Sequence, residues 1–260
     1  MVAAPWPETL LSRVEDAGIN ASAPPQQRWV DGWLLRYSPG KAKRARCVQA
    51  VAAGRLPLDE RLALCRAVFD AAGLPMLLRI TPFSLPAGLD EALADRSYAT
   101  LDDTRVMVAA QPAVQPEPLP PKLQLARLAP AEFAEVVGAL RGSPAGQRAA
   151  QAQRLLVSPV PYQGWVLRRQ DDPTVLACGQ IATEGDLVGL YDVFTASEAR
   201  GQGLARLLCS RLLSQALQGG ARTAYLQVEA DNAPARAIYH RLGFADAYAY
   251  HYRTADPAAH

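Results

Sequence analysis

The chain is 260 residues long, 50% hydrophobic and 20% charged, with a formal net charge of +2. That length suits two domains, and the composition is that of a globular protein, not a disordered or fibrous one. The small net charge gives no nucleic-acid signal, and no run approaches the roughly 20 apolar residues of a membrane helix.

The opening "MVAAPWPETLLSRVEDAG" has no basic start followed by an apolar core, so it does not read as a secretory signal. A cytoplasmic location is the expectation. Cys47, Cys65, Cys178 and Cys209 have neither metal-ligand nor CxxC spacing and read as buried thiols. No metal is expected.

"GWLLRYS" and "ARCVQAVA" read as paired strands. The basic run between them, "GKAKRAR", reads as a solvated hairpin turn. "LDERLALCRAVFDAAG" is a helix with Leu58, Leu62, Cys65 and Phe69 on one face and Gly73 as its stop. "MLLRI" is a strand, "GLDEALADRSY" a helix and "TRVMVAA" a strand. "QPAVQPEPLPPK" then carries prolines at 112, 116, 118, 120 and 121, which remove backbone donors and fix φ. It reads as an extended linker, residues 111–121, between domains 1–110 and 122–260.

In the second half, "LQLARLA" reads as a strand and "PAEFAEVVGALRG" as a helix with Phe133, Val137 and Leu140 on one face. "SPAGQRAAQAQRLL" is a weaker helix, and "GWVLRR" is a strand closed by "QDDP". "TVLACGQIA" and "LVGLYDVF" are strands joined by the turn "TEGD". The helix from Gly203 puts Leu204, Leu208, Leu212 and Ala216 on one stripe and stops at Gly219–Gly220. "TAYLQVEA" is a strand, "APARAIYHRLG" a short helix and "ADAYAYHYR" a strand alternating Tyr248, Tyr250 and Tyr252 with Ala249 and His251. Both halves end strand, short helix, aromatic, strand, which suggests a distant duplication. The fold class is therefore α/β, an α+β mixed sheet in two domains.

"SEARGQGLARLL" places Gly201 and Gly203 between a strand and a helix. Helix-start amides carry partial positive charge, and glycine lets backbone approach an anion closely. Arg200 and Arg206 flank the turn. A P-loop would need a lysine after the second glycine, and none follows. A dinucleotide fingerprint would need a third glycine where Arg206 stands, and an acidic residue about 20 positions on. The pyrophosphate of coenzyme A fits the pattern.

"RGQGLA", Arg200 to Ala205, resembles the Q/R-x-x-G-x-G/A signature of the GNAT superfamily of acyl-CoA-dependent N-acyltransferases. "LQVEADNAPARAIYHRLGF" is similar to that family's later strand–helix segment, and the likeness covers roughly Leu123 to Arg253. The resemblance implies a tandem GNAT-like architecture whose second copy transfers acetyl from acetyl-CoA to a primary amine by direct attack in a ternary complex. It implies a diphosphate held by the backbone of Gly201, Gln202, Gly203, Leu204, Ala205 and Arg206, with Arg200 close by. It also implies a pantetheine arm beside Val193, Phe194 and Thr195, in a strand that the family often bulges away from its neighbour. Tyr239 stands where the family's tyrosine acid stands.

Each residue has a plainer reading. Tyr239 could be a core aromatic. Asn232 is either a helix cap or, as the family often has it, a cofactor neighbour. Glu229 could position the amine or be a solvated edge carboxylate. Asp192, inside an apolar strand, is either paired or a second candidate base. Arg206 reads as exposed, with its amide in the turn. His240 and His251 read as structural, with His251 a possible groove residue. "GKAKRAR" could alternatively attract an acidic substrate or the adenosine phosphate.

The first copy looks degenerate: Pro57, Asp59 and Glu60 begin its helix where glycines would be expected, and Leu93 stands where Tyr239 does. Its expected role is structural or as part of a substrate groove. The rivals are a non-catalytic acyl-CoA-binding or protein-interaction module and, more distantly, a nicotinamide-dependent oxidoreductase. The acceptor, and the choice between monomer and homodimer, stay open.

Overall fold

The computed structural model describes residues 6–110, 112, 114 and 118–256. Residues 111, 113 and 115–117 of the proline-rich stretch lie outside the described residues. The chain divides into two compact units that interleave along the sequence. The first comprises the described part of Met1–Ala21 with Val106–Val228 and Asn232–Ala247; the second comprises Ser22–Arg105, Glu229–Asp231 and the described part of Tyr248–His260.

The first unit contains α1 (Glu8–Ala21), β6 (Leu123–Leu128), α4 (Pro130–Leu140), α5 (Ala145–Leu156), β7 (Tyr162–Arg169) and β8 (Asp172–Glu184). It continues with β9 (Leu187–Thr195), α6 (Leu204–Gln218), β10 (Thr223–Glu229, whose last residue falls in the second unit) and α7 (Ala233–Arg241). β6, β7, β8 and β9 are joined by antiparallel ladders, and β10 lies parallel to β9. A parallel pair needs a crossover, which α6 supplies. Leu204, Leu208, Leu212 and Ala216 of α6 are all buried as expected, in one core with Ile181, Val188 and Leu226. Phe133 and Val137 are also buried. The turn after β7 is shorter than "QDDP", since β8 already begins at Asp172.

α1 was not expected from the sequence. Its buried face is built mostly of small residues, Val14, Ala17, Gly18 and Ala21, so its apolar periodicity is faint. A Cβ on Gly18 would lie 2.9 Å from Gln227 Nε2, so the glycine permits a close approach. The Ala21 carbonyl accepts a hydrogen bond from Tyr162 Oη at 2.7 Å.

The second unit contains β1 (Gln27–Val30), β2 (Trp33–Arg36), β3 (Val48–Gln49), α2 (Leu58–Ala71), β4 (Leu78–Ile80) and α3 (Leu89–Ala94). Two long strands change unit along their length: β5 (Ala99–Ala110) at Arg105/Val106 and β11 (Ala245–Thr254) at Ala247/Tyr248. β2 pairs antiparallel with β3, β3 parallel with β4, and β4 antiparallel with β11. The expected pairing of "GWLLRYS" with "ARCVQAVA" is present as Leu34↔Gln49 and Leu35↔Val48. β1 is additional: it forms a hairpin with β2 through Asp31 (φ 41°) and Gly32 (φ 82°), a two-residue turn that demands positive φ.

The basic run is not a purely solvated turn. Lys43–Ala45 makes a 3-10 turn, Lys43 donates to Asp102 at 3.0 Å, and Arg44 donates to Tyr250 Oη at 3.2 Å. All four cysteines are free and buried. Burial pushes the Cys47 thiol up to about 11 and the Cys65, Cys178 and Cys209 thiols up to about 12, so none is a ready nucleophile. No described helix is long and apolar enough to cross a membrane.

Candidate active site

The glycine turn begins with a 3-10 turn, Ser197–Ala199, after β9, and ends at Gly203, the N-cap of α6. Gly201 has φ 75° and Gly203 φ 73°, so both are left-handed. A Cβ at either would meet nothing within 4 Å. Glycine is therefore required by backbone handedness, while the space above the turn stays open. No side chain caps α6, and no acidic residue lies in its first turn. Within the helix, first-turn amides such as those of Leu204 and Ala205 have no carbonyl partner. Such an arrangement can receive an anion.

The turn before α2 in the second unit is built differently. There Asp31 accepts from the amides of Arg55 (2.9 and 3.0 Å) and Leu56 (2.9 Å), and it pairs with Arg61 at 2.8 Å. The two amide bonds foremost, with the Arg61 charge, hold this carboxyl below its ordinary range despite an opposing contribution from burial. A Cβ on Gly54 would strike Asp31 and Arg61 at 2.5 Å or closer. Here the amides are answered by the chain's own carboxylate. The acidic first turn of α2 is also engaged, with Asp59 bonded to Arg96 at 2.6 Å. Leu93 is fully buried in the core of this unit.

Arg200 is exposed and folds back along β9. Its Nε donates to the Thr195 carbonyl at 3.4 Å, and its guanidinium lies 5.7 Å from the centre of the Phe194 ring. Gln202 donates to the Glu198 carbonyl at 3.3 Å. Arg206 is half-buried, not fully exposed.

β9 carries an irregularity at the expected place. The β8–β9 ladder pairs Cys178 with Phe194 and Gln180 with Tyr191, so Gly179 faces both Asp192 and Val193. This is a β-bulge, and Asp192 within it has φ 50°. The parallel ladder between β9 and β10 ends at the pair Leu226↔Leu190, although β9 runs on to Thr195. Val193, Phe194 and Thr195, all half-buried, thus continue beyond the last β10 partner.

Asp192 is held by three side chains. Arg141 Nη1 donates to Oδ1 at 2.7 Å, while Gln180 and Gln151 donate to Oδ2 at 2.7 and 3.0 Å. Burial raises this carboxyl, but the Arg141 and Arg154 charges and the hydrogen bonds outweigh it, leaving it below its usual range. An ionised, triply bonded carboxylate is a poor proton acceptor, so pairing accounts for Asp192. Sequence reasoning named none of Arg141, Gln151 or Gln180, and nothing local in the sequence marks them.

Tyr239 is 9% exposed, on the face of α7 that joins the α6 core, edge-on to Phe244 at 6.1 Å. Burial, with Cys209 alongside, pushes its phenol well above the ordinary value. Its hydroxyl makes no hydrogen bond to another described residue and is not among the fully buried atoms that lack a partner.

Asn232 caps α7, accepting from the Ala235 amide at 3.2 Å. Asn232→Ala is expected to cost about 1 kcal/mol of stability. Thermal denaturation should show a midpoint lower by about 2–4 °C; an unchanged midpoint would mean the cap carries no weight. Glu229 is the exposed last residue of β10 and falls in the second unit. His240 Nδ1 donates to the Phe244 carbonyl at 3.0 Å, and His251 Nε2 lies 2.8 Å from Asp90 Oδ1. Among the described residues no group of three or more His, Cys, Asp and Glu is placed to hold a metal ion.

A family model described as "Probable histone acetyltransferase Rv0428c C-terminal" matches residues 11–253. The "Uncharacterized N-acetyltransferase YobR" of Bacillus subtilis is 26% identical over 239 residues, 87% of this chain and 91% of that protein. Among solved structures, a GCN5-related N-acetyltransferase from Kribbella flavida matches with TM-score 0.67 and 17% identity, covering 94% of this chain and 95% of that one. A tandem GNAT protein from the clavulanic acid biosynthesis pathway matches with TM-score 0.61 and 14% identity, over 77% of this chain and 70% of that one.

Proposed function

Because the chain belongs to this GNAT acetyltransferase family, we propose that it moves an acetyl group from acetyl-CoA to a primary amine. The observation that carries the donor is the open, uncapped, doubly left-handed turn at Gly201–Gly203. The turn before α2 in the second unit is filled by Asp31, which supports a single acetyl-CoA site, in the first unit.

In this reading the amides of residues 201–206 bind the diphosphate. The strand edge at Val193–Thr195 takes the pantetheine arm as an added strand would. A backbone amide on that edge stabilises the charge developing on the thioester oxygen. Arg200 lines the route through its contact with Phe194, and Asn232 contributes by holding the start of α7. The amine attacks as the free base, since an alkylammonium with pKa near 10.4 has no lone pair. Water accepts its proton, and Tyr239 supports the leaving thiolate.

The test is thiol release from acetyl-CoA with a panel of amines, alongside direct measurement of CoA binding. Release with at least one amine is expected. Binding without release from any amine would favour a non-catalytic acyl-CoA module, and failure to bind CoA would overturn the donor assignment.

A further inference from the structure

The proposed reaction uses the strand edge at 193–195 but says nothing of what keeps that edge in place. Asp192 has a left-handed backbone, which aspartate tolerates better than most residues but still at a cost, so that its surroundings help to hold it there. Three elements do so. Arg141 comes from the C-cap of α4, Gln151 from α5 and Gln180 from β8, and all three converge on one carboxylate. The Asp192 carbonyl in turn accepts a weak bond from Cys178 Sγ at 3.8 Å, on the facing strand. Arg141 also reaches the strand directly, with its guanidinium 5.7 Å from the centre of the Phe194 ring.

We propose that Arg141 is a positioning residue for acetyl transfer, acting through Asp192 to hold the bulge that sets the path of Val193–Thr195. The proposal rests on the reading that this edge receives the acyl-pantetheine arm. Among the described residues, no hydrogen bond, ion pair or ring contact joins Arg141 to the glycine turn or to Tyr239. Loss of Arg141 should therefore leave the grip on the diphosphate intact and displace only the part of the strand that meets the thioester. Small displacements of that kind depress turnover more than binding. The guanidinium suits the task because its fork is planar and permanently charged, whereas a lysine would supply charge without the same geometry.

The experiment measures kcat, the KM for acetyl-CoA, the Kd for CoA and the thermal midpoint in Arg141→Gln, Arg141→Lys and the double variant Arg141→Gln/Asp192→Gly. Arg141→Gln is expected to lower kcat about 10- to 100-fold and leave the Kd for CoA within about threefold of the parent. Arg141→Lys should fall between the two. The double variant should regain part of the lost kcat, because glycine adopts positive φ without a clamp.

An unchanged kcat in Arg141→Gln overturns the proposal. So does a fall in kcat matched by an equal weakening of CoA binding, or a double variant no better than the single one. Should Arg141→Gln unfold below the assay temperature, the lysine and double variants decide by the same criteria. A parent protein that neither binds CoA nor transfers acetyl would instead defeat the reading on which the proposal rests.

Discussion

Replacing Tyr239 with phenylalanine is expected to lower kcat by about 10- to 1000-fold, or about 1.4–4 kcal/mol of transition-state stabilisation. The ring is buried against the α6 core and Phe244, so losing one hydroxyl leaves the packing intact. What changes is the hydroxyl, which has no hydrogen-bond partner among the described residues. Its elevated pKa bears on how it acts. A phenol made less acidic by burial gives its proton up reluctantly to a thiolate whose conjugate acid lies near 8.5. On the proposed function, Tyr239 would therefore stabilise the leaving sulfur chiefly by donating a hydrogen bond, with full transfer completed as the thiol departs. The sign follows for pH: since burial and Cys209 raise the phenol, its ionisation produces no loss of kcat up to about pH 10. The measurement is steady-state thiol release with CoA affinity followed in parallel. Equal kcat in the two proteins removes Tyr239 from the chemistry, and a large loss of CoA affinity would recast it as a binding residue.

The second large effect belongs to Gly203. Gly203→Glu should weaken CoA binding at least ~100-fold, or about 2.7 kcal/mol. Two causes add. A carboxylate at the N-cap occupies the partial positive charge that would otherwise receive the diphosphate. A Cβ at φ 73° strains the backbone by roughly 1–2 kcal/mol. Gly203→Asn separates them, because asparagine tolerates the left-handed region and carries no charge. With nothing within 4 Å of the new Cβ, Asn should cost about tenfold or less in affinity. Calorimetric titration with CoA is the check. Retained affinity in the glutamate variant would mean that the turn does not hold the diphosphate.

Local patterns were the legible part of this fold. The α6 stripe, the strand–helix rhythm and the glycine turn each depend on residues close in sequence. After residue 122 the elements lie within a residue or two of the expected bounds. Before it, β3 is shorter than "ARCVQAVA", α3 is shorter than "GLDEALADRSY" and β5 begins five residues before "TRVMVAA". α1 was missed because alanine and glycine on its buried face give little apolar contrast. The β1–β2 hairpin could have been found, since Asp31–Gly32 between apolar runs is a strong two-residue turn signal. Other features depend on distant residues. A boundary taken from proline content separates consecutive stretches, whereas the compact units interleave and share β5 and β11. The partners of Asp192 lie 51, 41 and 12 positions away. The carboxylates at the start of α2 were visible in the sequence, but Asp31 reaches its turn from 24 and 25 residues earlier.

That tethered aspartate also bears on how the chain responds to heat. A turn supplied with its own anion is complete at any metabolite concentration, whereas its counterpart at Gly203 gains from whatever occupies it. At a hundredfold excess over Kd, an occupant adds about 2.7 kcal/mol to folding. On the proposed function, acetyl-CoA should therefore raise the melting temperature of the protein through the Gly203 turn, while the Asp31 turn needs no such occupant.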